Sequence, residues 1–234
     1  MVRPQIRILV TGFGPFPGVP FNASAALIGH LAETDRLRGA GVSLHTAVLP
    51  TDWRRASAEA GALIRSIRPD AIVHFGVARR AKGFQVETRA FNATRPVLDH
   101  DGRMPGGRSV RPGAPPMLAV TVPSERLVRS LRLARLPAVL SRDAGRYLCN
   151  AILYQSLLQA RAAADPPLAG FVHIPALPPI SAGPGGENAP CGWTELKAGA
   201  ETIIRALIPY ARAARRGGAT ARGVDRACRR ALRR

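Results

Sequence analysis

The sequence predicts an α/β fold in which a mainly parallel sheet is covered by helices on both faces. Three observations carry this. Short apolar, β-branched runs alternate along the chain with stretches of helical spacing. Ile6–Phe13 and Ala71–Val77 are apolar almost throughout, as strands covered on both faces must be. The chain has 234 residues, of which 46% are hydrophobic, enough for one large core.

The elements follow in order. Ile6–Phe13 reads as a buried strand ending in a Gly/Pro-rich turn, and Ala23–Ala32 has helical apolar spacing. Val42–Leu49 alternates and stops at Pro50, as a strand does. Asp52–Ile67 reads as a helix with Asp52 as its N-cap, followed by the strand Ala71–Val77. Phe84–Asn92 alternates as one strand, and Val97–Pro116 is a Gly-, Pro- and charge-rich excursion. Met117–Val122 reads as a strand, and Ser124–Leu133 as a helix capped by Ser124. Leu140–Gly145 is a strand end and turn, and Arg146–Ala163 is a long helix with an apolar face. Gly170–Ile174 is a strand stopped by Pro175. Ala176–Gly192 reads as a loop and Thr194–Ala213 as a final amphipathic helix. Only composition marks a boundary. Residues 1–211 form one domain, and 212–234, with nine Arg and one Asp, form a basic tail expected to be flexible.

Charge is the most conspicuous bulk property. Lys+Arg number 34 against 15 Asp+Glu, a formal net charge of +19, and only Lys82 and Lys197 are lysines. Such an excess invites a polyanion-binding reading. The arginines, however, are spread among helices and loops, with no aromatic-interleaved stripe of the kind single-strand binders use. Three cysteines, Cys149, Cys191 and Cys228, form neither a CxxC nor an even framework. They point to no zinc site and to a reducing, cytoplasmic setting. No run near the N-terminus makes a signal peptide, and none is long enough to span a membrane.

Chemistry has few places to reside. The turn Thr11–Gly18 spaces its glycines G-x-G-x-x-x-G, and Pro15 and Pro17 remove N–H donors, so it fails as a dinucleotide loop. The P-loop, HExxH and GxSxG patterns are absent. Phe13 and Phe16 instead flank a rigid turn with Asn22 beyond it. Two rings and an amide suit a small, flat ligand with polar edges, although the rings could equally pack beneath the loop. Cys149 falls in the first turns of a helix, where unsatisfied N–H groups and the dipole favour a negatively charged sulfur. The competing reading is a buried structural thiol. His173 lies near the carboxyl end of a strand, where open α/β sheets place their ligand sites. Glu87 is a carboxylate in an apolar strand, costly to bury unpaired. Cys149, His173 and Glu87 thus suit nucleophile, base and orienter, although a chain of this size offers other such triples.

Four segments, taken together, resemble the pyroglutamyl peptidase I (pyrrolidone-carboxylate peptidase) family of cysteine peptidases. They are VTGFGPFPGVPFNAS (Val10–Ser24), Gly76 spaced to Glu87 and then TRAFN through Asn92, SRDAGRYLCN (Ser141–Asn150) and GFVHIP (Gly170–Pro175). They occur in the family's order and span residues 10 to 175. The resemblance implies a three-layer α/β/α sandwich with a mixed, mainly parallel sheet, and a peptidase domain over residues 1–211. It implies that Cys149, His173 and Glu87 are catalytic and that Phe13, Phe16 and Asn22 line a pocket for the pyrrolidone ring. The substrate would be a peptide with an N-terminal pyroglutamyl residue, with no metal or cofactor, in a homotetramer or dimer. Two positions depart from the pattern. The family's arginine five residues past Gly76 is replaced by Ala81, which leaves Arg80 as its stand-in, and the acidic residue after the TGF triplet is Gly14. The shifted arginine keeps in view a related thiol hydrolase with another acyl specificity, and the basic tail keeps in view a catalytically idle polyanion binder.

Overall fold

The computed structural model describes residues 5–16, 20–34, 37, 41–179 and 191–231, with side chains placed through residue 216. Eight strands and five helices alternate along it: β1 (Ile6–Phe13), α1 (Ala23–Glu33), β2 (Val42–Leu49), α2 (Arg55–Ile67), β3 (Ala71–Ala78), β4 (Phe84–Glu87), β5 (Arg89–Phe91), β6 (Met117–Ala119), α3 (Ser124–Leu133), β7 (Ala138–Ser141), α4 (Leu148–Ala162), β8 (Leu168–Pro175) and α5 (Trp193–Ala231). Six strands form one sheet in the order β2-β1-β3-β8-β4-β7. β2, β1, β3 and β8 are parallel. β4 runs antiparallel to β8 and parallel to β7, so the sheet is mixed but mostly parallel.

Period-two alternation sorts the side chains between two cores. Ile6, Ile8 and Val10 of β1, Val73 and Phe75 of β3, Phe84 and Val86 of β4, and Val172 and Ile174 of β8 pack under α1, α3 and α5. Leu9 and Phe13, Ile72, and Ala169 and Phe171 pack on the other face under α2 and α4. The same parity turns Thr11, His74, Glu87 and His173 toward the α4 side. The sequence therefore assigns the polar residues of four strands to one face before any of them meets a partner.

Several boundaries differ from the sequence expectation. The alternating stretch Phe84–Asn92 is two strands. Thr88 leaves the large sheet, bonding Ser141 O through both its N–H and its hydroxyl at 2.8 Å. β5 then pairs with β6 in a separate two-stranded ribbon. Alternation alone does not encode which partner a strand takes. Asp52 caps α2 as expected, its Oδ1 accepting from Arg54 N and Arg55 N at 2.7 and 2.6 Å. Ser124 makes no capping bond. Its hydroxyl lies instead 3.4 Å from Glu87 O. α5 continues to Ala231 through Pro209, so the compositional boundary after residue 211 falls inside a helix. Arg215 on that helix reaches back to Gln5 O at 2.9 Å and Asp70 at 3.7 Å. Residues 180–190 of the expected loop Ala176–Gly192 lie outside the described residues. No described helix is long and apolar enough to cross a membrane.

Candidate active site

The site lies near the carboxyl ends of β3 and β8, where the antiparallel β4 runs alongside, beneath the start of α4. Cys149 is the second residue of α4, where the first N–H groups have no carbonyl one turn back. The helix is held there by Asn150. Its Oδ1 accepts from Phe91 N at 2.8 Å, and its amide donates to Phe91 O and Ala93 O at 2.8 and 3.0 Å. This buried side chain ties the strand leaving Glu87 to the turn that carries Cys149. Sequence reasoning overlooked it, although an Asn in the first turn of an otherwise apolar helix was a visible signal.

Glu87 and His173 come from neighbouring antiparallel strands. Gln85 pairs with His173, and the Glu87 carboxylate reaches the ring diagonally, with Oε1 2.8 Å from Nδ1. Glu87 is fully buried, and its Oε2 has no hydrogen-bond partner among the described residues. With Nδ1 committed to Glu87, Nε2 is the nitrogen left to face the Cys149 thiol, which is close enough to raise the His173 pKa. Burial by itself would lower the His173 pKa. The hydrogen bonds and negative charge of Cys149 and Glu87 outweigh it and hold the pKa up at about 10. Gly76, in register with His173, leaves space for the sulfur: a β-carbon there would lie 3.1 Å from Cys149 Sγ and 2.6 Å from the Phe171 ring. The three residues singled out for nucleophile, base and orienter thus meet in space. The other described cysteine differs. Cys191 is buried in the opposite core, where burial and then the Glu195 charge push its thiol up to about 11.

The aromatic residues divide between two roles. Phe13 is buried, its ring 6.1 Å from Phe171, which in turn lies 4.7 Å from the His173 ring. Phe16 is half-buried beside Tyr147, with ring centroids 6.4 Å apart. Trp53 meets Tyr147 edge-on at 5.1 Å, and Tyr147 OH donates to Leu98 O at 3.1 Å. Burial pushes the Tyr147 hydroxyl up to about 12, with smaller contributions from the negative charges of Asp99 and Cys149. Tyr147 and Trp53 were not foreseen. Trp53 gave no sequence signal, because the excursion that packs on it has no periodicity.

Asn22 is buried and braces the turn. Its amide donates to Gly14 O at 2.8 Å, and its Oδ1 accepts from Ser24 N and Ser24 Oγ at 3.1 and 2.8 Å. Ser24 Oγ accepts in turn from Phe13 N at 2.9 Å. Asn22→Ala therefore removes an N-cap together with the loop brace, and is expected to cost about 1–2 kcal/mol in urea or thermal unfolding. Arg80 is exposed in the turn after β3 and makes no hydrogen bond or ion pair among the described residues.

The sequence model of the pyroglutamyl peptidase family matches residues 6–207. A pyrrolidone-carboxylate peptidase of Streptococcus suis is 30% identical over 207 residues, covering 88% of this chain and 94% of the relative. One from Pyrococcus furiosus is 30% identical over 174 residues, covering 74% of this chain and 82% of the relative. A solved mutant pyrrolidone carboxyl peptidase of Pyrococcus furiosus superposes with a TM-score of 0.78 at 26% identity, covering 88% of this chain and 99% of that one. The family model over residues 6–207, these relatives and the shared α/β architecture show that the chain belongs to the pyroglutamyl peptidase family of cysteine peptidases.

Proposed function

We propose that the protein hydrolyses the bond after an N-terminal pyroglutamyl residue, with Cys149 as nucleophile, His173 as acid and base, and Glu87 as orienter. The observation that carries the assignment is the buried Glu87 Oε1–His173 Nδ1 bond of 2.8 Å beneath Cys149, in a chain of this family. Cys149 sulfur attacks the carbonyl carbon that joins the pyroglutamyl residue to the peptide. The resulting oxyanion sits over the N–H groups at the start of α4, each such donor being worth roughly 3 kcal/mol in related sites. As the tetrahedral intermediate collapses, His173 gives a proton to the leaving amine and a thioester remains on Cys149. His173 then takes a proton from water, which attacks the thioester, releases pyroglutamate and restores the sulfur.

Glu87 fixes the imidazole tautomer and balances its positive charge. Phe13, Phe16 and Asn22 belong to this reading as the lactam pocket, Phe16 contributing a ring face and Asn22 holding the turn. Arg80 would meet the substrate only at the rim. A charged N-terminal amine would have to be desolvated in such an apolar slot, whereas the neutral lactam would not. A cytoplasmic location and a homotetramer or dimer go with this reading, and light scattering after size-exclusion chromatography reads the assembly.

Purified protein under reducing conditions is expected to release aminomethylcoumarin from its pyroglutamyl amide, and alkylation of its thiols is expected to stop the release. A protein that cleaves other N-terminally blocked amides but leaves the pyroglutamyl one intact would replace this reading with a thiol hydrolase of different acyl specificity.

A further inference from the structure

A second buried histidine lies outside the Cys149–His173–Glu87 cluster. His74, in the middle of β3, is fully buried on the α4 side of the sheet. Its ring is engaged at both nitrogens. Nδ1 lies 2.7 Å from Thr11 Oγ1 on β1, and Nε2 lies 2.9 Å from Ser156 Oγ on α4. Thr11 and Ser156 are themselves buried. Burial holds the His74 pKa down at about 3, so the ring is neutral, with one N–H donor and one acceptor. Hydroxyls on either side complete a single directed chain across three elements.

The surroundings give this chain no need to be polar. Phe171 lies 6.2 Å from the His74 ring, and Leu9, Ile72, Ile152 and Leu153 fill the same layer. An apolar side chain would satisfy that core with no hydrogen bonds to complete. What the polar chain adds is direction. Thr11 stands two residues before Phe13 on β1. Ser156 stands seven residues after Cys149 on α4, two turns along the same helix face. Apolar contacts hold a helix against a sheet but resist sliding along its axis weakly, because the hydrophobic effect is non-directional. A hydrogen bond at Ser156 sets that coordinate, and Cys149 Sγ must meet both the space at Gly76 and the ring of His173.

We propose that the Thr11–His74–Ser156 chain fixes the axial position of α4, and with it the place of the Cys149 sulfur against His173, which makes His74 a positioning residue for acyl transfer. This rests on Cys149 being the nucleophile.

Two amide substitutions separate the two bonds, since an Asn amide reaches about as far as Nδ1 and a Gln amide about as far as Nε2. With the pyroglutamyl-coumarin amide, His74→Gln keeps the bond to α4 and is expected to hold kcat within about threefold of native. His74→Asn loses that bond and is expected to lower kcat about 10- to 100-fold while KM stays within about threefold, the signature of a misplaced reacting group in a formed pocket. Ser156→Ala leaves β3 untouched and decides the matter if the His74 variants fail to fold. It is expected to lower kcat about tenfold at full folded content by circular dichroism. Native kcat in folded Ser156→Ala, or equal losses in the Gln and Asn variants, would overturn the positioning role. Turnover that survives Cys149→Ala would instead overturn the nucleophile assignment, and this inference with it.

Discussion

Cys149→Ala is expected to bring pyroglutamyl amide hydrolysis down to the uncatalysed background, a loss of about 10⁴-fold or more in kcat. The size follows from the absence of a substitute. Among the described residues the other cysteine, Cys191, is buried in the opposite core with its thiol pushed up to about 11. No serine takes the position of Cys149 at the start of α4. The fold should tolerate the change, because Cys149 is only partly buried and contributes little to the core. Unfolding midpoints close to native, together with retained binding of a pyroglutamyl ligand, would place the loss in the chemistry. Activity within tenfold of native would remove Cys149 from the mechanism.

Glu87→Gln is expected to lower kcat by about 10²- to 10⁴-fold, the range seen when an orienting carboxylate is replaced by an amide that can set the wrong tautomer. The cause is local. Glu87 Oε1 is the partner of His173 Nδ1, and neither carboxylate oxygen is exposed to water. An amide there removes the negative charge that supports the imidazolium, and it can present N–H to a nitrogen that must itself donate. The same substitution reports on stability. The His173 pKa is held up at about 10 in the folded protein, above its ordinary value near 6.5. A group raised in this way stabilises the fold fully below its unfolded pKa and loses that stabilisation as pH rises through its folded pKa. The native protein should therefore lose thermal stability between about pH 6.5 and pH 10, and Glu87→Gln should flatten that decline. An unchanged slope in the variant would show that the Glu87–His173 pair does not carry the raised pKa.

The net charge of +19 was the most conspicuous property of the composition and says least about the chemistry. The cluster of Cys149, His173 and Glu87 owes its electrostatics to three buried or half-buried neighbours. Part of the basic excess is tied down locally. Arg103 pairs with Asp52 at 3.1 Å, and Arg146 stacks over the Phe91 ring at 4.0 Å.

The sequence by itself determined the alternation of strands and helices, and with it the face that each side chain takes. Thr11, His74, Glu87 and His173 fall on the α4 side through period-two parity, a property of local backbone geometry that needs no partner. The placement of Cys149 near a helix start was also local, set by the Gly145 turn and the apolar run after it. Four segments in order along the chain, Val10–Ser24, Gly76–Asn92, Ser141–Asn150 and Gly170–Pro175, carried the family resemblance. Tertiary structure alone decided the pairing. β4 enters the sheet antiparallel beside β8, which brings Glu87 diagonally onto His173, and strand direction leaves no mark in an alternating pattern. β5 parts from β4 because Asn150 and β6 claim its backbone: Asn150 bonds Phe91 N from 59 residues away, and β6 pairs with it in the register Arg89–Ala119, Ala90–Leu118, Phe91–Met117. Asn22 could have met substrate or braced the turn. Its contacts with Gly14 and Ser24 make it a brace, because a buried amide is satisfied by whatever polar groups the fold brings within reach.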